Sequence, residues 1–372
     1  MWVSQLRLRN FRSYESFDVA LEKGVSTFVA PNGWGKTNLV EALAYVSHLK
    51  SHRVSQDLPL VRSGCDEATV AVLAHRGARQ LALEVTVRAK GANSARIQRQ
   101  SVRPRELVGL LPCVVFAPED LGLVKGEPAQ RRDFLDDLLV TQSPRFVAVR
   151  ADFDRALKQR NALLKELKNN RDPGLEATLA IWDEAFAEAA SQLVVGRMDL
   201  VKRLTQPLQH DFGTLAQDAN EDRKTVSASY SSRIDYSDIE NATDAKNAII
   251  EALQARRVPE IDRGLTLVGP QRDDLELEIG GVSAKHYASH GESWSVALAL
   301  KLAGWHVLQE DNSGPDDSAV LVLDDVFAEL DEGRRNRLAG MLEPAQQVLI
   351  TAAVPGDVPE SLHSTIIDLQ DA

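Results

Sequence analysis

Hydrophobic and polar positions alternate at the start of this chain, with Leu6 and Leu8 set among arginines, and an apolar run Val25-Ser-Thr-Phe-Val29 follows. A period of two and then a short apolar block predict strands that lead into a loop. Beyond the loop, Leu39, Val40, Leu43, Val46 and Leu49 share one face at helical spacing, which predicts a helix over Asn38–Leu49. The centre of the chain changes character. Phe153, Leu157, Leu164 and Leu167 keep a helical spacing among many charges, Asn169-Asn-Arg-Asp-Pro-Gly174 interrupts it, and Leu175, Leu179, Trp182, Phe186, Ala189 and Leu193 then step by fours and threes. Two helices joined in this way form a short hairpin arm, a few turns on each side. Polar residues dominate from Gln217 to Ser237, where an irregular segment is expected.

Strand patterns return towards the end, at Leu265–Val268, Leu275–Ile279, Val320–Leu323, Gln347–Ile350 and Thr365–Asp368. The economical arrangement is α/β. A head is assembled from both ends of the chain, 1–117 with 263–372, around a mainly helical insertion over 118–262 whose arm spans about 151–205. A length of 372 residues with 44% hydrophobic content suits two cores of this kind.

Composition narrows the function classes. The chain has no run of eighteen apolar residues and no signal-peptide pattern at its start, so a cytoplasmic protein without a membrane span is expected. Cys65 and Cys113 are the only cysteines, too few and too far apart for a disulfide framework or a thiolate metal cluster. The net charge of −11 opposes non-specific coating of nucleic acid, so any DNA site has to be a local basic patch. Candidates are Arg53 and Arg62 after the first helix, and Arg99 and Arg103 with their neighbours Arg96 and Arg105. Arg131 and Arg132 form another cluster, although such runs more often face water than a partner.

The chemistry begins in the first loop. Ala30-Pro31-Asn32-Gly33-Trp34-Gly35-Lys36-Thr37 matches the phosphate-binding loop pattern except for its first glycine. Gly33 and Gly35 allow backbone angles that aim N–H groups at phosphate oxygens, and the helix that follows adds its positive end. Lys36 supplies a cation for the outer phosphates, and Thr37 a hydroxyl ligand for Mg²⁺. Alanine at position 30 is compatible with the loop where φ is negative. The apolar strand Val320–Leu323 then delivers Asp324 and Asp325. Asp324 is placed to hold Mg²⁺ through water, and Asp325 to orient the water that attacks the terminal phosphate. Ser289-His-Gly-Glu292 opens a third element, an apolar helix beginning near Trp294, whose start suits either an anion or an ordinary serine cap.

These blocks, with Asn10-Phe-Arg-Ser-Tyr14, Lys50-Ser-His-Arg53, Phe116-Ala-Pro-Glu-Asp-Leu121, Lys125-Gly-Glu-Pro128, Arg131–Asp136, Gln159–Lys165, Arg263–Pro270, Arg272–Leu275 and Val326–Asp331, resemble the RecF family over nearly the whole chain. The resemblance implies an ABC-type P-loop ATPase head. Asn32 to Thr37 and Arg12 would lie at ATP, Asp324 and Asp325 would serve Mg²⁺ and hydrolysis, and Ser289, Gly291, Glu292 and Asp331 would act on ATP held by a second copy. It further implies an ATP-dependent homodimer that binds single-stranded or junction DNA. Such a protein would assist RecR and RecO in placing RecA, with a part in the SOS response. Thr351 stands where many ABC ATPases carry a histidine, and Asp325 where glutamate is commoner, so a slow ATPase acting as a switch is implied rather than a motor. Ala30, Gln271 and the pair Ser293-Trp294 depart from the family pattern. Two alternatives stay open: a transporter's ATPase subunit, against which the long span from Lys36 to Ser289 argues, and an adaptor that holds ATP structurally.

Overall fold

The computed structural model describes residues 1–310 and 318–370. Two compact units divide the chain. One is Met1–Lys125 with Gln206–Val226 and Ile279–Ala372, and the other is Gly126–Thr205 with Ser227–Glu278. The first unit therefore draws on three stretches, and Gln206–Val226 belongs with the head although the expected insertion ran unbroken over 118–262.

In the first unit, five parallel strands lie in the order Thr365–Asp368, Gly24–Val29, Gln347–Ala352, Val320–Asp324, Cys113–Phe116. Every residue of Val320–Asp324 and Gln347–Ala352 is buried, as expected of strands covered on both faces, and this is why they read as continuous apolar runs. An antiparallel sheet of six strands runs Tyr14–Ala20, Trp2–Phe11, Glu67–Arg76, Arg79–Arg88, Ser94–Ile97, Gln100–Val102. Alternate positions such as Val70, Val72, Val85 and Val87 point into the core. The helix Lys36–His48 fills the space between the sheets. Its Leu39, Val40, Leu43 and Val46 share one core with Val70 and Val85 of one sheet and Val320 and Val322 of the other. Gln347 stitches the layers: its buried amide accepts the N–H of Val3 (2.8 Å) and donates to the carbonyls of Val3 (2.8 Å) and Glu22 (2.9 Å).

The second unit is mainly helical, with helices Pro128–Gln142, Arg145–Asn169, Ala242–Ala255 and Arg257–Arg263. The arm's second helix is longer than its periodicity suggested. It runs unbroken over Pro173–Leu215 with Pro207 inside it, and its residues from Gln206 onward count with the first unit. Two expectations fail. The polar stretch after Gln217 contains the strand Val226–Ser231, followed by Ser232, and both Tyr230 Oη and Ser232 Oγ donate to the buried Asp273 carboxylate at 2.7 Å. Leu265–Val268 is not a strand, because side chains take its backbone donors: Thr266 N–H goes to Asn161 Oδ1 (2.8 Å) and Leu267 N–H to Glu260 Oε1 (2.7 Å).

Candidate functional site

The phosphate loop follows from where the strand Gly24–Val29 ends. Gly33 (φ 88°) and Gly35 (φ 95°) take left-handed angles, while Ala30 does not, so the missing first glycine costs the loop nothing. Gly35 also has to be small, since a Cβ there would sit 2.8 Å from Ser13 Oγ. No side chain caps the helix Lys36–His48, which leaves its leading N–H groups for an anion. Lys36 is buried, and its ammonium folds back to Ala30 O and to Asn32 Oδ1 (3.3 Å). Trp34 is half exposed at the loop's tip.

The acidic strand end meets this loop. Thr37 Oγ1 donates to Asp324 Oδ1 at 3.2 Å, and Thr351 Oγ1 donates to the same oxygen at 2.6 Å. Asp324 is 1% exposed, and burial raises its pKa against the opposing effect of those two hydroxyls. Asp325 turns into a left-handed angle (φ 56°), gives its N–H to Thr351 Oγ1 (2.9 Å), and keeps a buried Oδ1 without a hydrogen-bond partner among the described residues. The Thr37 hydroxyl and Asp324 carboxylate are adjacent hard oxygens, which suits Mg²⁺. Among the described residues no cluster of three or more His, Cys, Asp or Glu is placed to hold a metal ion.

The Arg12 side chain braces the helix behind this loop. Its guanidinium grips the fully buried Glu41 through Nε (2.8 Å) and Nη2 (2.5 Å), with Nη1 on Pro59 O (3.0 Å). Ser51 and Arg53 join the same carboxylate, and Arg53 also reaches Asn38 Oδ1 at 3.0 Å. Glu41, whose pKa these partners lower against its own burial, had no signal in the periodicity.

The third motif forms a capping box. Ser289 Oγ accepts Glu292 N–H (3.3 Å) while Glu292 Oε2 accepts Ser289 N–H (2.8 Å). Arg223, which sequence reasoning missed, donates to Glu292 Oε1 at 2.7 Å, and the carboxyl falls to about 2 chiefly through that bond. Gly291 lies so close to Arg334 that a Cβ would meet Nη1 at 2.8 Å. Arg334 is in turn tied to Asp331, which caps the helix Glu332–Leu342 by accepting Arg334 N–H at 2.9 Å. Trp294 is buried edge-on to Phe116 and donates to His290 Nε2 (3.0 Å), so that departure serves packing.

The basic candidates separate. Arg53, in the segment after the phosphate-loop helix, is tied to that helix through Asn38 and Glu41, Arg62 pairs with Glu15 (2.7 Å), and Arg96 pairs with Glu84 (2.9 Å). Arg99 (φ 70°) lies in the turn between Ser94–Ile97 and Gln100–Val102, with Arg103 just beyond it. Arg131 is a structural residue in the second unit, buried and bidentate on Asp274 (2.7 and 2.8 Å).

A parallel sheet with a phosphate loop on one strand and paired acids on another, backed by an antiparallel sheet and joined by a capped Ser-His-Gly-Glu helix, defines an ABC-type P-loop ATPase head. The model of the RecF/RecN/SMC N terminal domain matches residues 2–366. Proteins named DNA replication and repair protein RecF are 47% identical in Renibacterium salmoninarum, over 97% of this chain and 96% of theirs, and 47% identical in Cutibacterium acnes, over 99% and 96%. The solved structure of the recombination mediator protein RecF-ATP in the RecFOR pathway superposes with a TM-score of 0.86 at 26% identity, covering 96% of this chain and 93% of its own. An SMC head from Pyrococcus furiosus, at 19% identity and a TM-score of 0.53, shares the fold. The chain belongs to the RecF family. No helix among the described residues is long and apolar enough to cross a membrane.

Proposed function

We propose that this chain is an ATP-dependent DNA-binding recombination mediator of DNA replication and repair, working in the cytoplasm on single-stranded or gapped DNA. The observation that carries the reading is the convergence of Lys36 and Thr37 with Asp324 and Asp325, joined by Thr351. Its relatives' names support the repair role, and the ATP-bound RecF of similar fold supports the ligand.

In this reading Lys36 would meet the outer phosphates, Thr37 and Asp324 would hold Mg²⁺, and Asp325 would orient water. Bound Mg²⁺ supplies charge neutralisation at those phosphates. Ser289, Gly291 and Asp331 act on the nucleotide of a second copy, so ATP favours a closed homodimer and hydrolysis releases it. The closed pair gathers basic residues, Arg53, Arg62, Arg99 and Arg103 among them, into a DNA groove that the net charge of −11 would otherwise oppose. RecR and RecO are the partners, and RecA is the recombinase loaded, within the SOS response.

The test is fluorescence anisotropy of the Asp325→Asn variant with single-stranded, duplex and gapped DNA, with and without Mg-ATP, alongside sedimentation. Binding that requires Mg-ATP, accompanies dimerisation and weakens with salt is expected. Binding to none of these DNAs under any nucleotide condition overturns the DNA role and leaves an ATP-binding adaptor.

A further inference from the structure

The parallel sheet ends on a strand that its surroundings leave bare. Val320–Asp324 and Gln347–Ala352 are buried at every position, whereas in Thr365–Asp368 only Ile367 is even partly buried. That last strand pairs in parallel with Gly24–Val29 and has no neighbour on its other side among the described residues. Alternate backbone N–H and C=O groups along its outer edge therefore lack a ladder partner. Ile367 packs against the core that holds Val320 and Leu349, so Ile366 faces the opposite side, where it is 47% exposed.

Beside this edge lies a cavity of about 640 Å³, bounded by the helix Glu332–Leu342, the turns Pro355–Asp357 and Glu360–Leu362, and Ile366 of the strand itself. Natural edges are commonly blunted by brevity and charge, and Thr365 and Asp368 do part of this. An exposed isoleucine that opens onto a cavity does the reverse. The charge of the cavity selects its guest. Glu332, Asp357 and Glu360 line it, and none of them has a cationic partner among the described residues. Against them stands Arg335, whose Nε is turned to the Leu330 carbonyl (2.8 Å), and the lining also includes His363. Three carboxylates against one guanidinium repel a nucleic-acid backbone and favour a cationic side chain.

We propose that Thr365–Asp368 is a docking edge for an extended, basic segment of another protein, which joins the sheet as a further strand and sets a lysine or arginine among Glu332, Asp357 and Glu360. Backbone hydrogen bonds along the strand supply affinity, and the cavity supplies selectivity. Apolar residues alternating with the basic ones cover Ile366. None of the residues assigned to nucleotide or DNA takes part, so this surface stands without the ATP reading.

The experiment follows, by fluorescence anisotropy, binding of the full chain to a short blocked peptide that alternates valine with lysine. Comparison peptides carry glutamate in place of lysine, or N-methyl groups on every valine or on every lysine. A strand offers alternate N–H groups to a given neighbour, so only one of the two methylated forms should lose binding. The lysine peptide is expected to bind, and the glutamate peptide to bind on the order of 10-fold more weakly. Replacing Glu332→Gln together with Glu360→Gln should weaken the lysine peptide on the order of 10-fold as well. Ile366→Lys should abolish its binding, and thermal melts report whether these exposed substitutions leave the fold intact. A parent that does not bind the lysine peptide, methylated forms that behave alike, or parental affinity in a folded double variant overturns the proposal. Dimers seen without nucleotide by sedimentation and dissociated by Ile366→Lys also overturn it, because the edge then belongs to a second copy.

Discussion

Thr351 Oγ1 donates to Asp324 Oδ1 across 2.6 Å and accepts the N–H of Asp325 at 2.9 Å, so one hydroxyl sets the position of both acids at the end of the strand Val320–Asp324. Thr351 reaches them because Gln347–Ala352 pairs in parallel with that strand, in a register that places Asp324 opposite Thr351. Thr351→Val preserves volume and removes the hydroxyl. It leaves a buried carboxylate short of a donor, at a cost of about 1–3 kcal/mol in stability. The affinity for Mg-ATP should fall by about 10–100-fold if Asp324 holds the ion as proposed, since its carboxylate is no longer aimed. Isothermal titration checks this, and Thr351→Ser should recover most of the affinity. An unchanged affinity in Thr351→Val would show that Asp324 needs no such brace.

Asp324 is more comfortable protonated in the folded chain, because burial raises its pKa. The sign follows directly. A raised folded-state pKa stabilises the fold below the unfolded value and withdraws that stability as pH rises through the folded value, so at neutral pH the ionised Asp324 works against the nucleotide-free fold. Asp324→Asn should therefore raise the melting temperature without nucleotide at pH 7, by about 2–4 °C for a gain on the order of 1 kcal/mol. The gain should shrink as the pH is lowered through the acid range, where the parent's carboxyl takes up its proton. The same variant should lose Mg²⁺-dependent ATP retention. A lower melting temperature at pH 7 would mean that the carboxylate is better solvated than its 1% exposure indicates.

How much of this was legible depended on whether a residue's partners are local. The helix Lys36–His48 was readable from Leu39, Val40, Leu43 and Val46 at helical spacing, and the strand Val320–Asp324 because burial on both faces makes it one apolar run. The alternation of Val70, Val72 and Ala74 against Leu83, Val85 and Val87 was also present as a hairpin signal, but it carries no motif and yielded no expectation. Leu265–Val268 misled for the opposite reason. Its apolar run looks like a strand, yet its N–H groups are taken by Asn161 and Glu260, long-range partners that no local pattern discloses. At the site, Lys36 and Thr37 announce themselves by spacing. Arg223 and Glu41 matter through tertiary neighbours alone, and Arg131, a candidate surface cation, is spent inside the second unit on Asp274.

Glu292 gives a prediction with a definite window. Its carboxyl sits at about 2 against an ordinary 4.5, first because of the bond from Arg223 and further because of the Ser289 N–H, both opposed by partial burial. A depressed carboxylate contributes stability above its unfolded value and loses it as pH falls through the folded one, so the capping box should loosen between pH 4.5 and about 2. Arg223→Ala should return the Glu292 titration most of the way to 4.5, read by carboxyl ¹³C chemical shifts. A midpoint that stays near 2 in that variant would assign the depression to the helix start instead.

Arg160 carries the last prediction, which concerns the second unit. It is 0% exposed on the helix Arg145–Asn169, and it donates to Asp183 Oδ1 (2.7 Å), Thr266 Oγ1 (2.8 Å) and Glu260 Oε2 (2.5 Å). One guanidinium thereby fastens three separate segments. Asp183 has a second cation in Arg257, and Glu260 has the Leu267 N–H, so neither is wholly abandoned if Arg160 is lost, yet two buried carboxylates would share much less positive charge. Breaking a buried pair from one side costs about 3–5 kcal/mol, mostly the penalty of the charge left behind. Arg160→Met, which keeps the length and apolar stem, should lower the urea midpoint of the transition reported by Trp182 accordingly. Adding Glu260→Gln should recover part of the loss, because it removes one stranded charge while keeping an acceptor for Leu267 N–H. If Arg160→Met costs less than about 1 kcal/mol, the network is no more valuable than a surface pair and does not fasten these segments.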